Sequence, residues 1–268
     1  MSRKVSNYVK IEGSLRWESI WYLAKRELLA YVRNKTRIIT SIAQSVLFLF
    51  VFGLGGFNTQ TPIINGVEVS SLAFTASGIA AMAVLFSGVF GGLGIIRDKL
   101  FGFMNELLVA PVSRRTLMIG KTLGVALQTL VQFMLITILS ASLGFYGYDF
   151  NVIWRVIATI PAGLLFSLGV VGIGMTVSTR LTDFQGFGLI QTFLIMPMFW
   201  LSGALILFPE EFRIIMMLNP ISYGVDIFRF ILLGVSVFPF WLDLLVLTGF
   251  GVLLISIGAY SFSRMEIN

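Results

Sequence analysis

The chain alternates between a few polar stretches and long apolar runs. The apolar runs lie near 38–57, 71–96, 116–144, 152–178, 184–208 and 240–262. Each reaches the about 20 residues a helix needs to cross the hydrocarbon of a bilayer. The strands of a membrane barrel would alternate apolar and polar positions over about ten residues, and these runs are continuous instead. Hydrocarbon offers no partners to backbone N–H and C=O groups, and a helix satisfies its own. The pattern therefore predicts an all-α integral membrane protein with six transmembrane helices between 38 and 262.

A different period precedes the first run. Trp17, Trp21, Ala24, Leu28 and Tyr31 recur at helical spacing and form one stripe, with Ile20 and Val32 at its edges. Arg16, Glu18, Lys25, Arg26, Glu27 and Arg33 fall outside it. Tryptophans facing lipid and charges facing water predict an amphipathic helix over 16–33, lying in the membrane interface. The same stripe would also serve to pack on a protein partner. Residues 1–37 are thus expected to be a polar N-terminal segment built around this helix. They are too long and too mixed in charge for the leading part of a cleaved signal peptide.

Composition strengthens the membrane reading. Hydrophobic residues make up 57% of the 268, and charged residues only 12%, against about 25% charged in an average soluble domain. Cys and His are absent, which removes thiol nucleophiles, His bases and Cys or His metal sites. The net charge of +6 is sided rather than diffuse. With both ends on one side, sixteen of the nineteen Lys and Arg fall on that side. Arg155, Arg213 and Arg229 fall on the other. Basic residues mark the cytoplasmic face, so both termini, including 263–268, are expected in the cytoplasm, and nucleic acid is not the expected partner.

Two stretches depart from the plain alternation. Between 197 and 234, Pro197, Pro209 and Pro220 interrupt an apolar region that also holds Glu210, Glu211, Arg213, Asp226 and Arg229. A charge at the bilayer centre costs about 2.5–3.5 kcal/mol on insertion scales, so this is not one simple span. Two short helices near 210–218 and 221–233, broken at Asn219-Pro220, fit better. They would dip into the outer leaflet within 209–234 and return. Asp226 and Arg229, three apart on one helix, could pair there, either as a structural ion pair or as a polar element at the exit of a path. The second stretch is the cytoplasmic loop 97–115, RDKLFGFMNELLVAPVSRR. Its apolar residues predict a short amphipathic helix that docks on something.

No motor is visible. The nearest approach to a phosphate-binding loop is Gly120-Lys121-Thr122, but the glycine required five residues before Gly120 is Arg115. An unpaired mid-span acid, the mark of a proton-driven pump, is not evident either, although Asp226 and Asp243 keep that possibility in view. Small residues are dense in the second and fourth runs: Gly88 and Gly92 are four apart, as are Gly163 and Ser167. Such spacing permits close helix approach.

The two departing stretches resemble the ABC-2 type permeases, the membrane subunits of ATP-binding-cassette exporters, in particular the drug-resistance (daunorubicin exporter-like) branch. The matching residues are Asp98-Lys99, Phe101-Gly102-Phe103, Glu106, Leu108-Val109 and Pro111-Val112-Ser113-Arg114. Later come Leu201-Ser202-Gly203, Phe208-Pro209 and Asn219-Pro220, followed by Tyr223, Asp226 and Arg229. One position differs: the family often has an acid before Phe-Gly, and this chain has Leu100.

The resemblance implies a role for each region. Segment 98–113 would be the cytoplasmic coupling helix seated in a separate ATPase subunit, through Phe101, Gly102, Phe103, Glu106, Leu108, Val109, Pro111 and Arg114. The N-terminal helix would be the interface helix, with Trp17, Trp21, Arg26 and Glu27. The pair at 209–234 would be the extracytoplasmic re-entrant helices, with Ser202, Gly203, Pro209, Asn219, Pro220, Tyr223, Asp226 and Arg229. The expected protein is a non-enzymatic plasma-membrane permease. It would work with a second permease copy, as a homodimer, and with an ATP-binding subunit that holds ATP and Mg, so this chain itself carries no cofactor. Its cargo would be hydrophobic or amphipathic, a drug-like compound moved out of the cytoplasm or inner leaflet. Export of a lipid or lipid-linked glycan is the alternative, and an ion-gradient transporter or channel the reading from another class.

Overall fold

A computed structural model describes residues 17–54, 61–102 and 113–264. Among them the fold is almost wholly helical. Helix α1 is Trp17–Arg33 and α2 is Lys35–Phe48, the latter prolonged by a wide π turn over Leu49–Leu54. A two-stranded hairpin follows, β1 Ile63–Ile64 against β2 Val67–Glu68. Helices α3 Ser71–Gly91 and α4 Leu93–Leu100 run on as one long rod. Helix α5 is Arg114–Ser142 and α6 is Asn151–Arg180. Helices α7 Phe184–Ile190 and α8 Met196–Trp200 are joined by a π turn, Gln191–Ile195. Then come α9 Arg213–Leu218, α10 Pro220–Leu233 and α11 Phe240–Ser263.

Four of these are long and apolar enough to cross a membrane alone: Ser71–Leu100, α5, α6 and α11. The runs expected at 38–57 and 184–208 form shorter helices, Ile38–Gly53 and Phe184–Trp200. The reason in the second case is local. Pro197 has no N–H, so the preceding turn loses an α-helical hydrogen bond, and the chain widens there before turning at Leu201. The boundary of the second run also moves. Asp98, Lys99 and Leu100, expected to open the coupling segment, are instead the last turn of the rod begun by α3.

Helix α3 is the axis of the bundle. It is buried on nearly all sides and touches α5, α6 and α10. Lipid tails are as apolar as leucine, so close packing rather than water exclusion holds such helices together. The small residues supply that packing: a Cβ on Gly92 would lie 2.2 Å from the Gly174 carbonyl oxygen, and one on Gly174 would lie 2.2 Å from that of Val89. The spacing of small residues at 88 and 92 thus marks a backbone-to-backbone contact between the α3–α4 rod and α6. Phe133, Phe166 and Phe228 fill the space between α5, α6 and α10, with Phe133 and Phe228 stacked at 4.4 Å.

Candidate functional site

Two groups of residues lie at opposite ends of this bundle. At one end the long rod stops. Lys99 folds its ammonium onto the C-terminus of α6, donating to the carbonyls of Ser178, Thr179 and Leu181 at 3.0, 2.8 and 2.9 Å. Those carbonyls have no partner inside their own helix and carry its negative dipole end, so a cation is the fitting cap. One residue earlier, Asp98 forms a salt bridge with Lys121 of α5, both largely buried. This explains the Gly-Lys-Thr at 120–122: the lysine neutralises a neighbouring carboxylate and takes no phosphate.

The chain then turns outward. Phe101 is 68% exposed, and Gly102 has φ +78°, a left-handed conformation that suits glycine. Phe103, Glu106, Leu108, Val109 and Pro111 lie outside the described residues. The chain resumes at Ser113, whose hydroxyl caps α5 by accepting from the Thr116 N–H at 3.2 Å. Arg114 donates to the Ser263 carbonyl at the end of α11. The loop is therefore fixed at both ends, to α5 and α6 on entering and to α11 on leaving. Asp98, Lys99 and Lys121 were not among the expected site residues. The available signal was Lys121 itself, a charge inside an apolar run, which needs a buried partner.

Helix α1 joins this end through part of the expected stripe. Ile20, Ala24 and Tyr31 are buried, whereas Trp17 and Trp21 are exposed at 77% and 57%. The packed face meets α5 at Gly120 and Gly124. A Cβ there would lie 2.9 Å from that of Leu23 and 2.7 Å from that of Glu27. Gln128 then donates to the Glu27 carbonyl at 2.8 Å. The contacts advance in step along both helices, so α1 docks lengthwise on α5. The stripe read as one lipid-facing surface is split: half is buried on α5, and the tryptophan half is left open. Arg26 is paired with Glu27 at 3.1 Å. The axis of the next helix, Ile38–Gly53, is turned by 73° from that of α1.

At the other end stand the 197–234 residues. The break falls where expected, at Asn219-Pro220. Asn219 accepts from the Ile221 N–H, capping α10, and donates from Nδ2 to the Met198 carbonyl at 2.6 Å. Pro220 occupies the first turn of α10, where a missing N–H costs nothing. Tyr223 donates to the Met217 carbonyl at 2.8 Å, closing α9 onto α10. Leu201-Ser202-Gly203 forms a tight turn with Gly203 at φ +75°, and the Ser202 hydroxyl donates to Phe199 at 2.6 Å. Pro209 is exposed on the loop that follows.

Asp226 and Arg229 do not form an ion pair; each answers to backbone. Asp226 accepts from the N–H groups of Val237 and Phe238, both at 2.8 Å. Arg229 donates to the Ala204 carbonyl at 2.7 Å and to Ser77 at 3.4 Å, and lies 3.6 Å over the Phe74 ring. That carbonyl is also the one pressed against Gly78, where a Cβ would lie at 1.8 Å. Arg229 thus rivets the Leu-Ser-Gly turn to α3. Asp243, on the first turn of α11, is fully buried with neither carboxylate oxygen bonded.

These features define a polytopic helical membrane protein. One end gathers the stops of the long rod and of α6 with the start of α5, and the other a broken helical hairpin. The family profile described as "ABC-2 type transporter" matches residues 18–233, so the chain belongs to the ABC-2 type transporter family. It is 25% identical over 260 residues to the inner membrane transport permease YadH of Escherichia coli (strain K12), covering 92% of this chain and 93% of that one. It is also 25% identical over 229 residues to nodulation protein J of Rhizobium leguminosarum bv. viciae, covering 83% and 84%. The chain is a membrane-spanning transport permease by family and is not itself catalytic.

Proposed function

We propose that this chain is the transmembrane subunit of an ATP-binding-cassette exporter, driven by a separate ATP-binding subunit. In this reading α2 and the α7–α8 helix complete six spans. Both termini and the 101–113 loop face the cytoplasm of a plasma membrane, and two copies flank the path. Residues Phe101 to Arg114 engage the ATPase, with Phe103, Glu106, Leu108, Val109 and Pro111 in the contact. The open tryptophan half of α1 lies in lipid. The hairpin α9–α10 stands on the outer side, where the tightly held turn at Ser202 and Gly203 keeps it as one piece with α3. The cargo is hydrophobic or amphipathic.

The observation that carries the proposal is the two-ended anchorage of the loop. A displacement of the loop by the ATPase would pull on α4 and α5 through Asp98 and Lys121, on α6 through Lys99, and on α11 through Arg114. Rigid helices tied in this way move as bodies. ATP binding by the partner would thereby shift the permease pair between closed and open states. The test is ATPase stimulation in the complex purified with its ATP-binding subunit, measured over a panel of amphipathic dyes, lipids and lipid-linked glycans. Stimulation by dyes supports drug-like export, and stimulation by lipids or glycans alone moves the cargo to that class. No stimulation by any of them contradicts the proposal.

A further inference from the structure

Between α2, α3 and α5 lies a cleft of about 150 Å³. A cavity of that size accommodates a single six-membered ring. Its walls are mixed, with Phe48, Met82 and Phe86 beside Thr40 and Ser45 of α2. Set into them are the amide of Gln132 from α5, the amide of Gln44 from α2 and the hydroxyl of Ser87 from α3. Gln132 is 93% buried, at 7% exposure, and among the described residues its amide has no hydrogen-bond partner. Gln128, one turn earlier, shows the contrast, since its amide is used on the Glu27 carbonyl. The Gln132 amide therefore keeps its hydrogen-bonding capacity for a group that enters the cleft. The Gln132 amide, buried and unpaired, and the Gln44 amide at the exposed mouth face one cleft and are placed for something that enters it.

We propose that this cleft binds the uncharged, hydrogen-bonding head of an amphiphile, recognised chiefly by Gln132, with the apolar body of the ligand lying along α2 and α3. The residues around the cleft dictate the chemistry. Among the described residues no Lys, Arg, Asp or Glu lines it, so a charged head would be desolvated there without compensation. Amides donate and accept, which suits hydroxyl, amide or carbonyl groups. The apolar part of the wall favours a ligand that arrives from the bilayer. That this ligand is the cargo rests on the transport reading above; the site itself does not.

The full chain in nanodiscs of dioleoylphosphatidylcholine, without nucleotide or ATPase, is titrated with monoolein, oleate or oleylamine. Bound probe is read by native mass spectrometry. Monoolein is expected to bind at least tenfold more tightly than the two charged probes, and free glycerol is not expected to displace it. Gln132→Leu should weaken monoolein about tenfold, the loss of one to two hydrogen bonds. Gln44→Leu, on the exposed side, should weaken it in the same direction and serves if the first variant does not assemble. Equal binding of the three probes, or unchanged monoolein binding in the variants, overturns the proposal. Displacement by glycerol would place the ligand's source in water and overturn the amphiphile. Unchanged binding with an altered monomer–dimer ratio would show instead that a second copy covers the cleft. Because no ATPase is present, failure here leaves the transport reading standing, and failure of ATP-driven transport leaves this site standing.

Discussion

Gly78 and Ala204 make a contact that no larger residue can enter, since an added Cβ would sit 1.8 Å from the Ala204 carbonyl oxygen. Gly78→Ala is expected to lower stability by at least about 1–3 kcal/mol, the usual range for overpacking. Gly94→Ala, where nothing lies within 4 Å, should be neutral. Thermal unfolding midpoints in one detergent compare the two. The buried acids separate in the same way. Asp226 is held by two backbone N–H groups, so Asp226→Asn removes charge-assisted bonds and turns an amide donor toward donors. It should cost about 1–3 kcal/mol. Asp243 has no such partners, and Asp243→Asn should leave the midpoint unchanged or raise it. Little of this was legible in the residues alone. The three-residue spacing of Asp226 and Arg229 suggests a pair, yet each finds a backbone group from another part of the chain, and such groups leave no mark in a sequence.

Elements were more legible than contacts. The break at Asn219-Pro220 follows from a proline that favours a first helical turn and an asparagine that caps it, and both helices start and stop close to their expected positions. Helix α1 was legible as a helix but not in its orientation. Its apolar arc is wide, and periodicity does not tell which half meets protein and which meets lipid. The start of the docking loop was also misplaced, because Asp98 and Lys99 read as loop charges but end a helix, held there by Lys121 and by the α6 carbonyls. Gly102 sits at φ +78°, so Gly102→Val strains the turn at the start of the proposed ATPase contact. ATPase stimulation should fall severalfold while membrane insertion, read by protease protection, stays normal. Glu106→Lys should act the same way.

For the whole molecule, the contacts gather the basic-rich segments at one end and residues such as Asn65, Arg155 and Arg213 at the other. Asn65 donates to the Ser236 carbonyl, Arg155 to that of Leu232 and Arg213 to that of Val237. This arrangement gives the sided charge a physical form, and it predicts the topology directly. The natural chain has no cysteine, so single-cysteine variants can be labelled without a background. Asn65→Cys should react with a membrane-impermeant maleimide on intact cells. Asp183→Cys and Arg264→Cys should react only after permeabilisation. The reverse pattern would invert the protein and its proposed direction of transport.

The most direct test of the account is transport itself. The permease, purified with the ATP-binding subunit that accompanies it, is reconstituted in proteoliposomes, and movement of an amphipathic dye is followed. The account predicts movement that requires ATP, stops when the ATPase subunit's phosphate-binding lysine is replaced, and is lost in Gly102→Val. Movement driven by a proton or sodium gradient without ATP, or no ATP-dependent movement of any compound that stimulates the ATPase, would contradict it.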